Sequence, residues 1–125
     1  MNKYIRQYLF AMTIMLTFPI SGYAENFRVR LFFGLSIPEG GKVSVQDWET
    51  FQKKVITKSF KGFNVVDSIG YYKGKAEPSK IVTLILDGND LEKAEKVAKT
   101  YAKQFKQDSV MMVVVKIDKW VFVKK

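Results

Sequence analysis

Ser79 and Lys80 stand side by side, and a serine beside a lysine is the pairing from which serine–lysine hydrolases draw nucleophile and base. The segment that holds them reads as a strand, where neighbouring side chains leave from opposite faces, so the two could not readily share a proton. Acid–base work would fall to carboxylates: Asp67, Glu77, Asp87, Asp90 and Asp108 are available. Asp87, Asp90 and Asp108 sit at the ends of expected elements, where aspartate serves turns and helix caps. Asp87-Gly88-Asn89-Asp90 lacks the ligand spacing and distal glutamate of a calcium loop. Gly34, Gly40 and Gly41 are not followed by the Gly-Lys-Ser/Thr of a phosphate loop. With no His and no Cys, imidazole catalysis, thiolate chemistry, disulfides and the usual zinc ligand sets are excluded. No catalytic constellation stands out and no metal or cofactor is expected, which favours a non-enzymatic role and leaves an enzyme as the alternative.

The elements that must position these residues follow from periodicity. Phe27, Val29, Leu31, Phe33 and Leu35 alternate with Arg28, Arg30, Phe32 and Gly34, a strand pattern over residues 27–36. Ile37-Pro38-Glu39-Gly40-Gly41 breaks the chain, and Ser44 then caps a helix with Asp47 three residues on. Val45, Trp48, Phe51 and Val55 give that helix one apolar stripe, with Trp48 a core residue, and Lys61-Gly62 closes the region. Strands are predicted over 63–72 and 79–86, joined by a polar connection at 73–78, longer than a two-residue hairpin and expected to project. Asn89 with Glu92 suggests the next helix cap, and Leu91, Ala94, Ala98, Tyr101 and Phe105 supply its apolar stripe. Residues 109–117 read as an apolar strand, and 120–123 as a short fifth. This order predicts an α+β fold: a ferredoxin-like β-α-β-β-α-β sandwich with an additional C-terminal β-strand.

The 125 residues suffice for one small domain. Residues 1–24 have the form of a signal peptide: Lys3 and Arg6, an apolar run from Tyr8 to Phe18, Pro19, then Gly22-Tyr23-Ala24 with small residues at the −3 and −1 positions of a cleavage site. The apolar run is shorter than a bilayer span. The expectation is a periplasmic or secreted domain of residues 25–125, with no membrane span once the leader is cleaved. The whole chain carries +9. Setting aside Lys3 and Arg6 leaves 19 basic against 12 acidic residues, or +7, and 17 of the 19 are Lys. Nucleic-acid recognition favours Arg, so that partner is disfavoured, while an anionic surface or an envelope protein stays compatible with simple electrostatics.

An antiparallel sheet with one face in water alternates apolar and polar residues. Here Val110-Met111-Met112-Val113-Val114-Val115 and Ile81-Val82-Thr83-Leu84-Ile85-Leu86 are apolar on both faces, and Phe32 lies on the outer face of the first strand. The second face is therefore expected to be covered. The simplest cover is a second copy packed sheet to sheet; the alternatives are the C-terminal segment around Trp120 and Phe122 folded across it, or that these are ordinary central strands.

Leu31-Phe32-Phe33-Gly34, Val45 to Phe51 with Trp48, Val65 to Gly70, Glu77-Pro78-Ser79-Lys80, Tyr101 to Phe105 and Asp108-Ser109-Val110 occur in an order that resembles the domain of unknown function 3574 family of small exported bacterial proteins. The likeness covers most of residues 27–115, and the tail from Ile117 departs from it. It implies export and a compact α+β fold without implying an activity. If that family has a common site, its polar motif residues place it at Glu77, Ser79 and Lys80 with Tyr72 across the connection, and then at Arg30 on the outer sheet face. A surface salt bridge within Glu77-Ser79-Lys80 is the structural alternative. Two functions follow as expectations. One is a non-enzymatic binding protein associating through its sheet face, as a homodimer or with an envelope protein, in toxin neutralisation or an accessory role in virulence. The other is a small-ligand carrier or enzyme with its pocket inside a dimeric α+β barrel.

Overall fold

Alternation in the first strand sorts its side chains between a buried and an open side, and the rest of the molecule is arranged around that division. The computed structural model describes residues 25–125, so the leader reading of residues 1–24 lies outside the described residues. The strands are β1 (Asn26–Gly34), β2 (Asn64–Tyr72), β3 (Lys75–Asp87) and β4 (Met111–Ile117). They form one antiparallel sheet in the order β2-β3-β1-β4. Helix α1 covers residues 45–59 and helix α2 covers Leu91–Gln104. Among the described residues no helix is long and apolar enough to cross a membrane.

Both helices lie on one face of the sheet. Val29, Leu31 and Phe33 of β1 and Val82, Leu84 and Leu86 of β3 are buried with Trp48, Phe51 and Ile56 of α1 and Ala94, Val97, Ala98 and Tyr101 of α2. Ser44 caps α1 as its sequence implies, its Oγ accepting from the Asp47 N–H at 3.0 Å. The stripe along α1 is shifted. Residues Gln52–Ile56 form a π turn, whose wider spacing brings Ile56 into the core and leaves Val55 only half-buried, while Val45 is exposed in the first turn. The cap before α2 is Asp87, not Asn89: the Asp87 carboxylate accepts from the Asn89 N–H at 2.8 Å, opening a 3-10 turn over Gly88–Asp90.

The polar stretch expected as a projecting connection is mostly strand. β3 begins at Lys75, leaving Lys73-Gly74 as a two-residue hairpin loop with φ of +50° and +79°. That is the left-handed geometry which matches strand twist, and the glycine takes its second position. Pro78 is tolerated within β3 because its missing N–H faces the end of β1. Leu35 N–H donates to the Pro78 carbonyl at 3.0 Å, while the Leu35 carbonyl, which Pro78 cannot serve, accepts from the Val43 N–H at 2.8 Å.

The additional C-terminal strand does not form. Residues 118–125 leave the sheet after Ile117, and no ladder pairs with them. Their apolar alternation is met locally: the Trp120 and Phe122 rings pack edge to face at 5.4 Å and stay in solvent.

Candidate functional site on the open sheet face

Register turns the open face into a grid. Val66, Ile81, Phe32 and Met111 are direct cross-strand neighbours, one from each strand, so a single apolar row crosses the whole sheet. On one side of it the next row is Asn64, Thr83, Arg30 and Val113, followed by Ile85, Arg28 and Val115. On the other side lie Ser68, Ser79 and Gly34, then Gly70 with Glu77, then Tyr72 with Lys75. Val66, Ile85, Met111, Val113 and Val115 are 53%, 43%, 56%, 37% and 39% exposed. These values hold with the C-terminal tail in place, so the tail does not close the face. An apolar surface crossing every strand of a small sheet is the kind that marks an interaction site.

The polar end of the grid gathers around Gly34. A Cβ on Gly34 would lie 3.1 Å from Glu77 Oε1 and 3.3 Å from Gln107 Oε1, so the bare glycine is what lets the Glu77 carboxylate lean from β3 across β1. Gln107 is fixed by its amide, which donates to the Ser36 carbonyl at 3.0 Å. Beneath the sheet, the Tyr101 hydroxyl donates to the Gly34 carbonyl at 2.6 Å. The carbonyls of β1 alternate in direction. Because Leu35 bonds toward β3, the Gly34 carbonyl points toward β4, which has not yet begun, and Tyr101 supplies the missing donor. The Tyr101 ring is wholly buried between Phe33, Phe51 and Phe105, with centroids 4.7, 5.1 and 4.8 Å away. Burial raises its hydroxyl well above the ordinary tyrosine range.

The residues expected at the site divide between the two faces. Arg30, Tyr72, Glu77 and Ser79 share the open face. Lys80 is on the other: it pairs across β2 with Asp67, as its position opposite Asp67 in the ladder dictates, and Asp67 is mostly exposed. The surface ion pair expected inside Glu77-Ser79-Lys80 is thus replaced by Lys80–Asp67. Arg28, Arg30 and Glu77 form no ion pair among the described residues. Gly34 and Gln107 belong to the site although their chemistry is unremarkable in sequence. Gly34 stands out only as the end of an apolar strand motif, and Gln107 carries no signal, because loop position alone brings it there. A cleft of about 550 Å³ between the end of α1 and the start of α2, with Lys58, Lys61, Asp90 and Lys93 on its walls, contains none of these residues.

The molecule is thus, in class, an α+β sandwich with two helices on one face of a four-stranded antiparallel sheet and an open, partly apolar face on the other. The chain belongs to the family described as Protein of unknown function (DUF3574), which matches it over residues 28–120. The match runs past Ile117 into the tail that departed from the motifs. No curated protein matches the chain in sequence. Among solved structures it is similar to a phage SAM lyase in complex with S-methyl-5'-thioadenosine, with a TM-score of 0.56 and 22% identity over 73% of this chain and 81% of that one. At that identity the likeness is one of fold.

Proposed function

We propose that the protein is an exported, non-enzymatic binding protein that associates through its open sheet face, first of all with a second copy of itself. The observation that carries this reading is the apolar row Val66–Ile81–Phe32–Met111, exposed at Val66 and Met111 and half-buried at Ile81 and Phe32, which crosses all four strands and is flanked by the exposed Val113 and Val115 on β4. Sheets pair face to face about 10 Å apart when their inner faces are apolar, and this face has that composition without a cover. Export, to the periplasm or outside the cell, is supported by the leader pattern of residues 1–24. The chain order and the sheet order β2-β3-β1-β4 support a ferredoxin-like assignment.

A second reading is favoured by the corner at Gly34. Glu77 and Ser79 face the open side there, beside Gly34 and Ser68, with Tyr72 two rows farther along the same face, and a fold like this one carries S-methyl-5'-thioadenosine in a phage lyase. In that reading two sheets enclose a small ligand and the protein is a carrier or an enzyme.

Light scattering of residues 25–125, with native mass spectrometry on the same sample, separates the two. A dimer of unladen mass, reduced to monomer by Phe32→Asp, is the expected result. A dimer carrying extra mass that Glu77→Gln releases moves the assignment to the ligand reading. A monomer at tens of micromolar overturns self-association.

A further inference from the structure

The open face is self-complementary in charge as well as apolar, and this specifies how a second copy would sit on it. The inference rests on the association reading above. The apolar row is the midline of the grid. One step along β1 on one side stands Arg30; one step on the other stands Gly34, with the Glu77 carboxylate drawn over it from β3. Each step spans two residues, or about 7 Å along the strand. A two-fold axis lying in the interface and running along the row keeps each strand over its own copy and exchanges the two ends. Phe32, Ile81, Val66 and Met111 then meet their own equivalents on the midline. The same operation carries Arg30 onto the position above the partner's Gly34.

We infer that two copies pack face to face about this axis, with Arg30 of each chain meeting Glu77 of the partner subunit above the partner's Gly34. Three observations that are unconnected within one chain fit this arrangement. Arg30 occupies a central strand of an open face yet forms no ion pair among the described residues. Glu77 likewise has no cationic partner there, in a protein rich in lysine. Gly34 has no side chain where the carboxylate must lie flat, and an arginine reaching across a sheet-to-sheet gap of about 10 Å needs its target on the opposing surface. Guanidinium to carboxylate is also the pairing whose planar fork best survives partial desolvation at an interface. A two-fold axis lying in the interface along the strands would instead bring Arg30 over Arg30 or leave both charges unmatched.

The test is a charge exchange read by sedimentation equilibrium of residues 25–125, which contain every element described above. Both side chains are exposed, so Arg30→Glu and Glu77→Arg are expected to keep the melting temperature of the parent monomer, which circular dichroism checks. Each single reversal is expected to weaken the dimer by about tenfold to a hundredfold, and the double variant to return to within a few-fold of the parent. Dimerisation that Phe32→Asp abolishes while the reversals are silent or simply additive would overturn this axis and leave sheet-face association standing. A chain that stays monomeric overturns both.

Discussion

The Tyr101 hydroxyl is the point at which the buried core grips the strand end that carries the open-face corner, and Tyr101→Phe removes that grip alone. The ring stays, so its packing against Phe33, Phe51, Phe105 and, at 6.0 Å, Trp48 is unchanged. What is lost is a 2.6 Å bond to the Gly34 carbonyl, which has no strand beside it to replace the donor. An acceptor left unpaired in a partly buried setting costs about 1–3 kcal/mol. In a domain near 100 residues each kcal/mol moves the melting temperature by about 4–8 °C, so a fall of about 4–24 °C is expected at pH 7. Thermal unfolding by circular dichroism or calorimetry reads it. Equal melting temperatures in parent and variant would refute the reasoning, because they would mean that the carbonyl is served equally well by water.

The same group sets a pH dependence of definite sign. Burial raises the Tyr101 hydroxyl above its unfolded value of 10.0. Between the two values the unfolded chain has released the proton while the folded chain retains it. The folded state therefore binds more protons, and stability falls as pH rises above about 10, by up to about 1.4 kcal/mol per pH unit from this group. Below that pH the contribution is complete. Tyr101→Phe lacks the group, so its deficit against the parent should shrink as pH goes from 9 to 11. Every other group is common to both proteins and cancels in the difference. A deficit constant over that range would show that the hydroxyl is not desolvated.

Gly34→Ala is expected to leave the melting temperature within a few degrees, since its Cβ meets only side-chain ends, Glu77 Oε1 at 3.1 Å and Gln107 Oε1 at 3.3 Å, yet to weaken self-association measured by sedimentation, because the carboxylate is displaced. Lys80→Ala should cost no more than about 1 kcal/mol, as expected of a pair whose aspartate is mostly exposed, and should leave association unchanged, because Lys80 faces away from Glu77. Gly74→Ala places a β-carbon at φ of +79° and should lower stability by about 1 kcal/mol or more in a denaturant titration, with the hairpin loop strained whatever space surrounds it.

The parts of this arrangement that were legible in the sequence are those fixed by burial on one side. Alternation in residues 27–35 separated Val29, Leu31 and Phe33 from Arg30, Phe32 and Gly34, because a strand with one buried face must repeat every two residues. The apolar stripe of α2 was legible for the same reason with a helical period. Where neither face is buried, the signal vanishes. Residues 75–78 belong to the arm that β2 and β3 extend beyond the core, all but Pro78 exposed, and a polar strand in solvent has the composition of a loop. Residues 120–123 show the converse: apolar alternation without a partner strand, so the pattern of a strand survives where no strand exists. The π turn of α1 is invisible because it depends on which of Val55 and Ile56 the core accepts.

The corner itself depends on register, which no local pattern encodes. Glu77 comes to lie over Gly34 only because β3 pairs with β1 so that Ser79 is opposite Gly34, and that pairing is set by Val82 and Leu84 seeking the core beside Leu31 and Val29. A slip of one residue would turn Glu77 and Ser79 to the helices and bring Lys80 to the open face. The core thus decides which charges the open face presents. Changes at Val82 or Leu84 that alter register should accordingly disturb association without touching a single residue of the surface that associates.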